Sequence, residues 1–154
     1  ASMMDLLPTL AGMAGAELKV AVDGVDILPM LTGERAYIDR AVLLYFDDHH
    51  LQCARWGPWK LHLARYNTPA WSPEPSGGRR NLPLPHPELY NVVADPSEAF
   101  DLASEHPEIV TQIRAMVDAQ LPRLPDLTRW TWSDTMSIKV QETPAGALPA
   151  IEGN

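Results

Sequence analysis

Leu51-Gln52-Cys53-Ala54-Arg55-Trp56-Gly57-Pro58-Trp59-Lys60-Leu61-His62-Leu63 is the stretch on which the fold turns. Gly57-Pro58 is a turn dipeptide. After it, Trp59, Leu61 and Leu63 alternate with Lys60 and His62, the period of two that marks a half-buried strand. Before it, Leu51 to Trp56 reads as a strand running the other way. Upstream, across the polar break Asp47-Asp48-His49-His50, the run Ala41-Val42-Leu43-Leu44-Tyr45-Phe46 reads as another buried strand.

Residues 67 to 87 hold Pro69, Pro73, Pro75, Pro83, Pro85 and Pro87 with Gly77-Gly78. A stretch of that kind reads as a lid, a binding loop or disorder. Leu89 to Val93 is a fourth strand candidate, closed by Asp95-Pro96. Pro107 then opens a helix to about Leu121, proline being at home in the first helical position. Ile109, Val110, Ile113, Met116, Val117 and Leu121 form its apolar stripe, and Thr111, Gln112, Arg114 and Asp118 face water. Beyond Pro125 the chain is expected to run as an extended tail, loose by Thr143, with Trp130 and Trp132 on it.

At the other end, Met3 to Ala16 reads as a helix, with Leu6, Leu7, Leu10, Met13 and Ala14 at helical spacing and Gly15 to end it. Asp5 is placed to cap it, and Pro8 is tolerable only in its first turn. With no strand before it, this helix reads as what a cut through a larger domain leaves. Asp23 to Gly33 is a turn-rich connector in which Leu28 to Leu31 makes one helical turn. The expected architecture is α+β: a small antiparallel sheet of three to four strands, covered by a C-terminal helix and preceded by one further helix. The expected divisions are residues 1–34, 35–127 and 128–154.

At 154 residues, 45% apolar and 21% charged, the chain has room for one domain with a real core. A net charge of −8 argues against sequence-independent binding to nucleic acid or to an anionic membrane, which need clustered Lys and Arg. No apolar run approaches the roughly 18 residues of a membrane span. Cys53 is the one cysteine, so no internal disulfide or cysteine-based zinc site can form. The first residue is Ala, and no basic-then-apolar leader follows it.

Several blocks together resemble the C-terminal region of formylglycine-dependent sulfatases, in the alkaline-phosphatase-like superfamily. Asp5-Leu6-Leu7-Pro8-Thr9-Leu10 is similar to the Asp-x-x-Pro-Thr helix that ends the family's large α/β domain. Asp23-Gly24-Val25-Asp26-Ile27-Leu28-Pro29-Met30-Leu31-Thr32-Gly33 resembles the linker after it. Arg55-Trp56-Gly57-Pro58-Trp59-Lys60-Leu61 resembles the family hairpin, commonly Arg-x-Gly-x-Tyr-Lys. Leu89-Tyr90-Asn91-Val92, Asp95-Pro96-Ser97-Glu98 and Asp101-Leu102-Ala103 resemble Leu-Tyr-Asp-Leu, Asp-Pro-x-Glu and Asn-Leu. Asn91 and Asp101 depart from that pattern, at positions that affect turn capping.

The resemblance implies a parent that hydrolyses sulfate esters with formylglycine and calcium, in the periplasm or secreted. Those catalytic parts belong upstream of Asp5 in the family. Cys53 lacks the Pro-x-Arg that follows the family's nucleophile. The chain is therefore expected to carry no catalytic residue and no metal, and to be inactive by itself. Its expected role is to shape the substrate mouth, and its expected partner is the N-terminal sulfatase domain, or another copy through exposed apolar surface.

Asp47-Asp48-His49-His50 is the densest polar cluster. Carboxylate and imidazole suit a divalent ion, but neighbours on a turn point apart, and a solvated hairpin turn is favoured over a metal. Asp48, His49 and His50 are also candidates for the rim of the parent's pocket, joined by His86 and by Trp71, a stacking residue in the Pro-rich stretch. Lys60 and His62, with Arg55, could bind an anion, though solvated strand positions explain them. Two other functions stay open: a standalone interaction module from a truncated gene, and the tail of a related phosphoesterase or phosphonate hydrolase. Upstream sequence separates the three.

Overall fold

The computed structural model describes residues 1–38, 40 and 42–140. The chain divides into two compact units, Ala1–Ala41 and Val42–Asn154.

In the first unit a 3₁₀ turn (Met3–Asp5) leads into α1 (Leu6–Met13), and α2 (Leu28–Leu31) follows. Pro8 is the third residue of α1, where its missing N–H would have no helical partner. Asp5 stands at the N-cap of α1, but its side chain makes no capping bond to that helix. Its carboxylate accepts from Ser2 N (2.6 Å) and Val25 N (3.1 Å) and pairs with Arg40. The Thr9 hydroxyl donates to the Asp5 carbonyl (2.6 Å) and accepts from Ile27 N (3.0 Å). The Asp-x-x-Pro-Thr spacing thus pins the connector at two points one helical turn apart, Asp5 just before α1 and Thr9 within it. Gly24 is required for the close approach, since a Cβ there would sit 1.9 Å from the Met4 carbonyl oxygen.

The second unit holds a four-stranded antiparallel sheet, β1 (Leu43–Asp47), β2 (His50–Trp56), β3 (Trp59–Tyr66) and β4 (Asn81–Asn91), ordered as in the sequence. The expected α+β architecture is what forms. Ala41, expected in the first strand, lies outside the described residues. Register aligns Leu44, Ala54, Leu61 and Leu89 in one row across all four strands. This row belongs to the same buried cluster as Ile113 and Val117 of α3 (Pro107–Gln120). The apolar stripe of α3 is therefore the lid of the core, as its spacing predicts.

Two elements differ from expectation. β4 begins at Asn81, so Pro83, Pro85 and Pro87 lie in a strand rather than a loop. Proline is confined to edge strands, where its missing N–H costs no ladder bond, and β4 is an edge. The pairing with β3 also shifts between His62 and Ala64, opposite these prolines. Second, the tail expected to be extended from residue 128 is helical over α4 (Asp126–Ser137). Its residues 141–154 lie outside the described set. The buried face of α4 is Thr128, Thr131 and Thr135, with Trp132 packed on the core cluster. Hydroxyls replace apolar side chains at helical spacing, so the segment carries no hydrophobic stripe. They are satisfied within the unit: Thr131 donates to the His49 carbonyl (2.8 Å), and Thr135 accepts from Asn81 Nδ2 (3.2 Å), whose Oδ1 accepts from Gln52 (2.7 Å).

Candidate functional site

Alternation sends the next row, Tyr45, Cys53, His62 and Glu88, to the sheet face opposite the core row, with Arg55, Lys60 and Tyr90 beside it. Lys60 and His62 were expected to be solvated or to await an anion. The anion is the chain's own Glu98. One carboxylate oxygen accepts from Lys60 Nζ at 2.6 Å, and the other meets His62 Nε2 at 2.7 Å.

Glu98 reaches them because the turn before it is built to aim it. Asp95 accepts from Ser97 Oγ and from the Ala99 and Phe100 amides, Asn91 accepts from the Val93 and Ala94 amides, and Glu98 itself adopts φ 53°. Asp101 then accepts from the amides of Leu89 and Ala103, returning the chain to β4. The residues that carry the family resemblance here are structural, and Asn91 and Asp101 fill their turn positions without loss.

Burial is the largest influence on Glu98 and would raise its pKa, but the bonds from Lys60 and His62 outweigh it and hold it below its ordinary value. Burial also dominates at His62 and lowers its pKa, against the raising effect of Glu98. Both groups therefore bind protons more readily unfolded than folded. Stability from each is present above its unfolded pKa and lost as pH falls through the folded one. Urea midpoints are expected to drop first below about pH 6.5, where the His62 imidazole of the unfolded chain takes up its proton, and again below about pH 4.3, where the unfolded chain's Glu98 does. His62→Gln should remove the first step, and an unchanged profile would contradict this assignment.

Asp48 and His49 form the turn between β1 and β2, Asp48 with φ 55°. Both are exposed, with His49 Nε2 3.3 Å from the Asp48 carboxylate. His50 turns away from them: its Nδ1 shares a hydrogen bond with the Tyr66 hydroxyl at 2.9 Å. Asp47 pairs with Arg79 at 2.8 Å, and the Arg79 guanidinium lies 3.6 Å over the Tyr66 ring. Burial, then Asp47, raises the Tyr66 pKa. Tyr66 and Arg79 were not singled out from the sequence, because they meet this turn from positions far along the chain. His86 is exposed on β4, and Trp71, 89% exposed, stands in the loop between β3 and β4.

Among the described residues no group of three or more His, Cys, Asp or Glu is placed to hold a metal ion. Cys53 is buried in β2, its thiol pushed up to about 11 by desolvation. Followed by Ala54-Arg55-Trp56-Gly57 rather than by the x-Pro-x-Arg of the family's nucleophile, Cys53 does not fit the formylglycine precursor of a sulfatase. Calcium and formylglycine thus have no place among the described residues. Nor is any helix among them long and apolar enough to cross a membrane.

Residues 39–141 match the family described as the C-terminal region of aryl-sulfatase. The chain is 31% identical over 137 residues to arylsulfatase D of Homo sapiens, covering 77% of this chain and 23% of that protein. It is 30% identical over 145 residues to steryl-sulfatase of Mus musculus, covering 80% of this chain and 23% of that protein. A solved structure from the metabolism of multiple glycosaminoglycans by Bacteroides thetaiotaomicron matches at 26% identity and a TM-score of 0.50, covering 75% of this chain and 24% of that one. The chain spans about a quarter of the length of these relatives.

Proposed function

The chain belongs to the aryl-sulfatase C-terminal family, and from that premise we propose that it is the C-terminal subdomain of a sulfuric ester hydrolase, completing the fold and shaping the substrate mouth while the nucleophile and calcium reside elsewhere in the parent. Residues 1–34 then close the catalytic domain, and the turn carrying Asp48, His49 and His50 stands at the rim with Trp71 and His86. The observation that carries this reading is the match over residues 39–141, in a chain whose one cysteine is buried and lacks the Pro-x-Arg that follows the family's nucleophile. The periplasmic or secreted location of the parent rests on the same kinship.

The exposed apolar side chains of the first unit fit the reading: Met3, Leu7, Leu10 and Met13 are 81%, 55%, 59% and 61% exposed. Apolar patches of this kind mark association surfaces. Their occupant is the catalytic domain in the parent, and another copy when the chain stands alone.

The test joins this chain to its upstream catalytic sequence. The joined protein is expected to hydrolyse 4-nitrophenyl sulfate, and the chain alone to show no turnover after rigorous purification. Within the joined protein, the double variant Asp48→Ala, His49→Ala is expected to raise KM up to about tenfold, equal to about 1.4 kcal/mol of binding, with kcat retained. Turnover by the isolated chain, or wild-type KM in the rim variant for every sulfate ester tried, would overturn the reading.

A further inference from the structure

We propose that Arg79 is the positioning residue of this rim: it fastens the loop bearing Trp71 to the β1–β2 turn, so that the exposed indole is held ready as a stacking face for the apolar ring of a sulfate ester. This deepens the reading above and rests on it.

The loop, residues 67–80, is closed at its neck by side chain and backbone together. Asn67 N donates to the Arg80 carbonyl (3.0 Å), Arg80 N donates to Asn67 Oδ1 (3.0 Å), and Asn67 Nδ2 donates to the Gly78 carbonyl (3.2 Å). Gly77 and Gly78 take φ of 112° and 88°, which allows the chain to double back there. Inside the neck, Ser72 N donates to the Pro69 carbonyl and Gly78 N to the Pro75 carbonyl. Pro69, Pro73 and Pro75 reduce the freedom left to the unfolded loop.

Arg79 adds four further connections. Its amide donates to Glu74 Oε1 (3.2 Å), its Nε to the Thr68 carbonyl (3.3 Å) and its Nη2 to Asp47 Oδ2 (2.8 Å), while the guanidinium plane covers Tyr66 at 3.6 Å. Tyr66 is in turn bonded to His50. Only a planar fork can stack and donate in two directions from one side chain; an ammonium cannot. The result joins two segments 32 residues apart, the turn and the loop, into one connected edge. Trp71 is left 89% exposed on that loop. A large ring excluded from the core and carried by a braced loop is prepaid in ordering cost for binding another ring.

Expected results follow in the joined protein and in this chain. Arg79→Ala should raise KM about three- to tenfold, the size of one aromatic contact, with kcat retained. The rise should be larger for a steroid sulfate or a sulfated disaccharide than for 4-nitrophenyl sulfate, and whichever of the two responds identifies the ring that the indole receives. Trp71→Ala should give the same pattern, and the double variant should be no worse than Trp71→Ala alone, since both act through one contact. Arg79→Lys, which keeps the charge and loses the plane, should fall between. In this chain by itself, hydrogen exchange at the Gly78, Arg79 and Arg80 amides should accelerate in Arg79→Ala and stay unchanged in Trp71→Ala. Unaltered exchange in Arg79→Ala, additive effects of the two substitutions, or no response from either extended substrate would overturn the proposal. If Trp71→Ala raises KM and Arg79→Ala does not, the positioning role fails while the rim reading stands. If Arg79→Ala frees the loop but no rim variant alters any KM, the rim reading fails and takes the substrate role with it.

Discussion

Leu61→Ala is expected to remove about 2 to 5 kcal/mol from the stability of the second unit, a large share of the roughly 5 to 15 kcal/mol that holds a typical domain folded. Leu61 has no exposed surface, and it sits between Ala54 and Leu89, which have none either. Ile113 and Val117 of α3 join the same cluster. Truncation therefore opens a cavity bounded by strands on both sides, where the surroundings cannot close without breaking sheet register. Leu127→Ala, at a residue 48% exposed on α4, is the control and should cost no more than about 0.5 kcal/mol. Urea midpoints read by far-UV circular dichroism decide the matter. Equal midpoints for the two variants would show that the row Leu44, Ala54, Leu61, Leu89 is not the centre of the core.

Asp5→Ala should release the connector of the first unit, at a cost of about 3 to 5 kcal/mol for an ion pair broken from one side. Asp5 is fully buried and Arg40 partly so, with side-chain exposures of 0% and 17%. Removal of the carboxylate strands the guanidinium together with the amides of Ser2 and Val25. Arg40 is the principal reason that Asp5 titrates low, at about 2, with the two amides adding to it and burial opposing. The sign follows: the stabilisation is whole above the ordinary carboxylate pKa and is lost as pH falls towards 2. Hydrogen exchange at the Val25 and Ile27 amides is the measurement, because it reports this unit separately from the sheet. Both should accelerate in Asp5→Ala, and Asp5→Asn, which keeps an acceptor but not the charge, should fall between. Full protection in Asp5→Ala would mean that the Thr9 bonds hold the connector unaided.

The sheet and α3 were legible because their burial is written in local periods. Trp59, Leu61 and Leu63 alternate, Gly57-Pro58 turns the chain, and Ile109 to Leu121 repeats with the helix. β4 was read too short because proline argues against a strand unless the strand is an edge, and edge position is a property of the whole sheet. α4 was missed because its buried side chains are threonines, whose burial is favourable only once His49 and Asn81 are there to bond them.

The candidate site shows the same division. The Asp47–His50 turn was visible as a polar break between apolar runs, but Arg79 and Tyr66 arrive at it from β3 and the loop beyond. Lys60 and His62 were visible as one face of a strand, and their partner Glu98 lies 38 and 36 residues further on. By itself the amino-acid order determined which residues turn inward along each strand and helix, because that depends on the short repeat of the backbone. Which charges meet, which proline is tolerated and which hydroxyl is satisfied were decided only in three dimensions, because desolvation and hydrogen bonding depend on neighbours that the chain supplies from far away.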